Sequence, residues 1–89
     1  MNEDIEVGDI ISKMYGYNMT LYKFYRVERI TGRSMFLQEI GKTIVDGDYM
    51  TPKVIPNPKE LKGGVIRKSL NTYVGNKWDG KPLQEDRWD

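Results

Sequence analysis

One long β-hairpin, predicted over residues 15–40, constrains the fold more than any other feature of the sequence. Two runs of β-branched and aromatic residues, 22–30 and 35–40, flank the turn sequence T-G-R-S at residues 31–34. Within that turn, Gly32 supplies the positive φ that a tight connection between antiparallel strands needs. Because the chain has only 89 residues, a hairpin of this length must lie at the centre of the fold.

Alternation along the first strand of this hairpin is imperfect. Tyr25 and Val27 share one face, whereas Phe24 and Ile30 lie on the other unless a bulge separates them. We therefore expect a strand that is covered on both faces.

Short strand signals recur on both sides of the hairpin. Residues 7–15 and 65–70 are apolar-rich runs, residues 43–45 and 49–55 are weaker candidates, and residues 57–64 are predicted to form an exposed loop. No segment keeps a 3.6-residue apolar period over a helix-length window, so little helix is expected. Five or six short antiparallel strands predict a mainly β fold, either a small barrel or a sandwich.

The chain is predicted to form a single β-barrel-like domain over residues 1–82, followed by an acidic C-terminal tail over residues 83–89. Near the end of the domain, Trp78 is expected to close one end of the core, while Asp79 and Gly80 turn the chain. Trp88, in the tail, is either packed back on the domain or offered to a partner.

The composition excludes several chemistries. The chain has no cysteine and no histidine, which removes disulfides, thiolate metal sites and the commonest general base. The carboxylates of Asp46 and Asp48 could suit a hard cation, but an acidic turn around Gly47 accounts for them more simply. We expect no enzyme activity, no metal and no cofactor.

The N-terminal residues also bear on localisation. Residues 1–6 are acidic where a signal peptide is basic and then apolar. The sequence has no apolar run approaching the roughly 18 to 20 residues that a membrane span needs. We predict a cytoplasmic protein with no membrane partner.

Charge is unevenly distributed along a chain whose net charge is only +1. Residues 13–81 hold 13 basic and six acidic residues, whereas both ends are acidic. A basic body suits phosphate groups or an acidic partner protein. Lysines that keep sheet surfaces and edges soluble would give the same pattern.

Four short motifs lie along the chain: V-G-D-I from Val7, Y-G-Y-N from Tyr15, F-Y-R-V from Phe24 and W-D-G-K-P from Trp78. In this order they resemble the motifs of a group of small uncharacterised proteins found in bacteriophages and other mobile elements. Tyr15 stands where that group usually has Trp, and residues 18–22 depart from its D-Q-T-N-like loop. The resemblance implies an SH3-like barrel and a phage protein that acts in the host cytoplasm, and it supplies no catalytic residues.

Aromatic and basic residues interleave through the loop and first strand of the hairpin. The candidate partner-binding residues are Tyr17, Tyr22, Lys23, Arg26 and Arg29, with Trp88 of the tail. Tyr and Arg are typical anchors of protein interfaces, and rings with cations also bind bases and phosphates. A small barrel with few aliphatic residues could equally use such rings in its core, as expected for Phe24.

Two functions remain open. The first is a non-enzymatic, phage-type binding protein that docks on a host protein and modulates or inhibits it, as in host takeover or counter-defence. The alternative is a small-barrel nucleic-acid-binding protein that uses its basic, Tyr-rich hairpin. Edge strands in so small a sheet would also allow a homodimer through strand pairing.

Overall fold

The computed structural model describes residues 5–16, 19–73 and 75–87, and this part of the chain forms one antiparallel sheet. Its strands are β1 (Ile10–Tyr15), β2 (Leu21–Thr31), β3 (Ser34–Asp46), β4 (Lys53–Ser69), β5 (Asn76–Lys77) and β6 (Leu83–Gln84). They are ordered β5-β1-β2-β3-β4-β6, and the described residues contain no helix. The prediction of a small, mainly β, barrel-like domain is confirmed.

The predicted hairpin is formed by β2 and β3. Thr31 pairs with Ser34, so a two-residue turn connects the strands, and Gly32 has a φ of 59° there. The pairing shifts between Val27 and Arg29, where a bulge leaves Glu28 without a ladder partner.

The central strands carry a core on each face. The first face of the sheet bears the buried side chains of Ile11, Val27, Met35 and Leu37. The second face bears those of Phe24, Ile40 and Val54. Phe24 and Val27 are three positions apart on β2, with no bulge between them, so alternation turns their side chains to opposite faces. β2 is therefore covered on both faces, as the sequence predicted.

The chain returns at its C-terminal end to close one end of the sheet. β6 pairs with the first residues of β4, and Thr20 and Asp86 exchange two backbone hydrogen bonds of 2.8 Å. These bonds join β4 to the entrance of β2 and curl the sheet around the second core. Residues 83–87 thus belong to the sheet, which differs from the acidic tail predicted to begin at residue 83.

A buried carboxylate fixes this closure. The Glu85 side chain is 0% exposed and forms ion pairs with Lys42 and Arg87, the latter at 2.9 Å. The Tyr22 backbone N–H donates to the same carboxylate at 2.9 Å. A charge can be buried when it is paired and hydrogen-bonded in this way, so the acidic composition of the segment does not keep it in solvent.

The segment at residues 57–64 lies inside β4 and is not a loop, so that prediction is wrong. The pairing of β3 with β4 shifts between Ile40 and Gly41, and a wide bulge takes up residues 58–60. The Gln38 side chain donates to the carbonyl oxygen of Gly63 at 3.1 Å and holds the strand beyond the bulge. Proline and glycine are tolerated here because bulges and edge strands accommodate them.

Trp78 closes one end of the second core, as predicted. Its ring meets that of Phe24 edge to face, with centroids 6.4 Å apart. The indole N–H donates to the Lys81 carbonyl oxygen at 2.8 Å. Asp79 accepts the Lys81 backbone N–H at 3.0 Å, which stabilises the turn that follows.

We expect Gly47→Ala to lower the free energy of unfolding by about 2 kcal/mol or more, because residues other than glycine are strained at the positive φ of this position. Gly47 has a φ of 82°, and an added Cβ would lie 2.4 Å from the Thr51 carbonyl oxygen. Urea denaturation measures the change. Gly64→Ala is the matched control, since a Cβ there meets nothing within 4 Å. Equal effects of the two variants would contradict this account of the turn.

Glu85 should make stability depend on pH. Burial alone would raise the pKa of Glu85, but hydrogen bonds from Lys42, Tyr22 and Arg87 and the Lys42 charge outweigh it and lower this pKa. The Glu85 carboxylate is therefore protonated more readily in the unfolded chain than in the folded one. Its contribution to the free energy of unfolding is complete above the unfolded pKa of about 4.3 and is lost as the pH falls below that value.

We expect Glu85→Gln to cost about 2 kcal/mol at neutral pH, because two cations lose their buried partner. The difference from the wild type should shrink as the pH falls below about 5. Urea denaturation across this range tests it, with the exposed Glu6→Gln as control. A difference that is independent of pH would show that the Glu85 charge is not the cause.

Candidate functional site

The structure divides the predicted partner-binding residues between the two faces of β2. Because side chains alternate along a strand, Tyr22 and Arg26 lie on the second face and Lys23 lies on the first. Arg29 follows the bulge and pairs with Phe36 of β3. Residues taken from one stretch of sequence therefore do not form one surface.

On the second face, the predicted residues are engaged within the fold. Tyr22 is half-buried and packs against the second core. Arg26 Nε forms an ion pair with Glu28, the residue that the bulge leaves unpaired in the ladder. The bulge thus gives Arg26 a local partner.

Cations cover two of the aromatic rings. Lys23 Nζ lies 4.8 Å from the centre of the Tyr15 ring, and Arg29 Cζ lies 4.2 Å from that of Phe36. These rings offer less free face to a nucleotide base than the sequence indicated. The two remaining predicted residues, Tyr17 and Trp88, lie outside the described residues.

A pocket of about 150 Å³ opens on the first face. It lies between the central strands and the segment after β4, and we call it the lysine–tyrosine pocket. Its lining residues are Ile11, Lys13, Tyr25, Leu37, Ile66, Lys68, Thr72 and Tyr73.

The lysine–tyrosine pocket combines an apolar floor with positive charge. Ile11 and Leu37 are buried core residues at its base. Lys13 and Lys68 line it from β1 and β4, and within the described ranges neither side chain has a hydrogen bond or an ion pair. The pocket can therefore take an apolar group beside a negative charge.

Tyr25 places a phenol in this pocket. Burial raises the pKa of the Tyr25 hydroxyl, and the negative charge of Glu39, its ladder partner on β3, raises it further. The phenol is therefore neutral and can donate or accept a hydrogen bond at physiological pH.

Exposed apolar side chains also lie along β4, with Ile66 on the first face at the pocket and Leu61 and Val65 on the second face. Leu61, Val65 and Ile66 are 60%, 51% and 39% exposed. β6 pairs with β4 only at Lys53 and Val54, and no other described strand covers that side of β4. We call residues 57–69 the open edge of β4.

The open edge is also basic. It contains four basic residues and one acidic residue, and in the described part of the chain none of its basic side chains forms an ion pair. The basic residues are Lys59, Lys62, Arg67 and Lys68. Uncompensated charge beside exposed apolar groups distinguishes this edge from an evenly polar surface.

The acidic turn around Gly47 uses its carboxylate within the chain. Asp48 accepts the backbone N–H groups of Met50 and Thr51 at 3.0 and 2.9 Å. No group of three or more acidic residues that could hold a metal ion occurs among the described residues. In the same residues, no helix is long and apolar enough to cross a membrane.

The sequence alone did not reveal the lysine–tyrosine pocket. Lys13 and Lys68 are far apart in the chain, and only the successive pairing of β1, β2, β3 and β4 brings them to one face. A partial signal was present, since Ile66 and Lys68 alternate as one face of a strand requires.

Comparison with known proteins adds no family to this description. No family model, no curated protein and no solved structure matches the chain. The resemblance to phage and mobile-element proteins therefore stays a prediction.

Glu39→Gln should lower the pKa of Tyr25 without returning it to the ordinary value. The substitution removes the negative charge, which is the smaller cause of the shift, and leaves burial, which is the larger. This pKa is measured by following tyrosinate absorbance as the pH rises, in the wild type and in Glu39→Gln. The Tyr25→Phe variant identifies which part of the signal belongs to Tyr25. An unchanged Tyr25 titration would contradict the proximity of the two groups.

Proposed function

We propose that this protein is a non-enzymatic binding protein that docks on another protein through the first face of its sheet. The observation that carries the proposal is the lysine–tyrosine pocket, whose apolar floor adjoins two lysines that have no ion-pair partner among the described residues. Anchor residues of protein interfaces bind in pockets of this kind, surrounded by a polar rim. Ile66 of β4, which is 39% exposed on the same face, adds apolar area at the rim of the pocket.

The partner, under this proposal, is a bacterial host protein. Support comes from the resemblance of the V-G-D-I, F-Y-R-V and W-D-G-K-P motifs to proteins of phages and mobile elements. Docking in the host cytoplasm modulates or inhibits the partner, which serves host takeover or counter-defence. A chain of this size suffices, because a standard interface needs only about 20 to 30 residues on each side.

Nucleic-acid binding is the second candidate function. Lys13, Tyr15 and Lys23 share the first face of β1 and β2, and a basic surface with rings suits single strands. Protein docking is the better supported of the two. Base stacking uses free ring faces, whereas cations already cover Tyr15 and Phe36.

Affinity capture from a bacterial host lysate, with mass spectrometry, tests the proposal. The baits are the wild type, the double variant Lys13→Glu/Lys68→Glu and the matched control Lys81→Glu, whose exposed side chain lies outside the pocket. Each is used with and without nuclease. We expect the wild type and the control to retain the same host protein in both arms, and the double variant to lose it.

Two results would overturn this function. One is retention of no specific host protein by the wild type. The other is capture that disappears with nuclease, which a salt titration would confirm as nucleic-acid binding, because affinity for nucleic acid falls steeply as salt rises.

A further inference from the structure

The open edge of β4 has backbone groups that point away from the sheet. The Leu70 N–H donates to the Arg33 carbonyl oxygen at 2.7 Å, which sets the phase of the ladder between β3 and β4. In an antiparallel pair, successive residues turn their N–H and C=O groups alternately toward and away from the partner strand. Ile66 and Lys68 therefore bond to β3, and Val65 and Arg67 present their backbone groups outward.

No strand in the described part of the chain takes up these groups. β6 ends far from them, since its pairing covers only Lys53 and Val54. An exposed strand edge with free N–H and C=O groups is a template for a further strand.

The side chains of the open edge lie alternately on the two faces of the sheet, so an added strand has different neighbours on each face. Ile66 and Lys68 lie on the first face and line the lysine–tyrosine pocket. Every second side chain of an added strand would lie on that same face, next to the pocket. The edge and the pocket thus form one continuous site.

The positive charge of this site favours an acidic strand over a second copy of this chain. A second copy of this chain, added antiparallel about Arg67, would set Arg67 opposite its own copy, and like charges directly opposite each other destabilise strand pairs. Lys13 and Lys68 at the pocket add to the positive charge. An acidic strand would neutralise this charge, whereas a copy of this chain would increase it.

We infer that the partner presents an extended acidic segment, which adds to the open edge of β4 at Val65 and Arg67 and places an aromatic side chain in the lysine–tyrosine pocket. The inference rests on the proposed function, because it names the part of the partner protein that docks. The aromatic ring contacts the apolar floor of the pocket. An acidic residue beside the ring pairs with Lys68, which lies on β4 and lines the pocket.

The probe is a blocked nine-residue peptide in which one central phenylalanine and four aspartates share one face of the extended chain and threonines occupy the other. One control peptide has lysine in place of aspartate. A second is N-methylated on the edge that would pair with β4. A single-stranded oligonucleotide serves as a further arm, and binding to the isotope-labelled protein is followed by NMR.

We expect the acidic peptide to shift the signals of the pocket residues and to slow amide exchange at Val65 and Arg67. The amide exchange of Ile66 and Lys68, whose N–H groups already bond to β3, should change little. Both control peptides should bind at least about tenfold more weakly, as expected for lost hydrogen bonds or reversed charge.

Two variants of one residue test the strand pairing directly. Val65→Pro removes an outward N–H without breaking a bond to β3, and we expect it to weaken binding of the acidic peptide about tenfold. Val65→Thr keeps the donor and should bind like the wild type.

Several results would overturn the inference. One is the absence of binding at millimolar peptide, and another is equal binding of the N-methylated peptide. The others are unchanged amide exchange at Val65 and Arg67, and displacement of the bound peptide by the oligonucleotide. Host-protein capture that Lys13→Glu/Lys68→Glu abolishes but Val65→Pro leaves intact would reject strand addition and leave the proposed function standing. Failure of the wild type to capture any host protein would reject both.

Discussion

The buried carboxylate of Glu85 is the interaction on which the shape of this domain depends. It binds Lys42 of β3, the Tyr22 backbone at the start of β2 and Arg87 beside it, so one charge joins three parts of the chain. The pairing of β6 with β4 and the backbone bonds between Thr20 and Asp86 lie on either side of this junction. The curl of the sheet around Phe24 and Trp78 follows from it, because the two edges of the curled region meet there.

β6 closes one end of β4, and no other described strand pairs with the outer edge of its other end. β4 has 17 residues, and β6 is too short to pair with more than the first of them. The segment that follows β4 lies on the first face, where Tyr73 packs against the core and lines the lysine–tyrosine pocket. One long strand therefore takes part in the closure, the open edge and the pocket.

The hairpin and its two-sided burial could be predicted because they depend on local signals, namely Gly32 and the alternation around Phe24 and Val27. The length of β4 could not, because its glycines and prolines are typical of loops and only the bulge beside Gly41 fits them to a strand. Composition alone selected the candidate residues of β2, although alternation separates Tyr22 from Lys23. The pocket depends on long-range pairing, which no single stretch of sequence contains.

The two cores have a consequence for how the protein unfolds. Phe24 and Val27 belong to different cores but to the same strand, so the loss of either core frees the backbone that positions the other. Neither face can melt while its opposite remains ordered. A sheet of this construction unfolds as one cooperative unit, even though its apolar residues are divided into two clusters that are each too small to be stable alone.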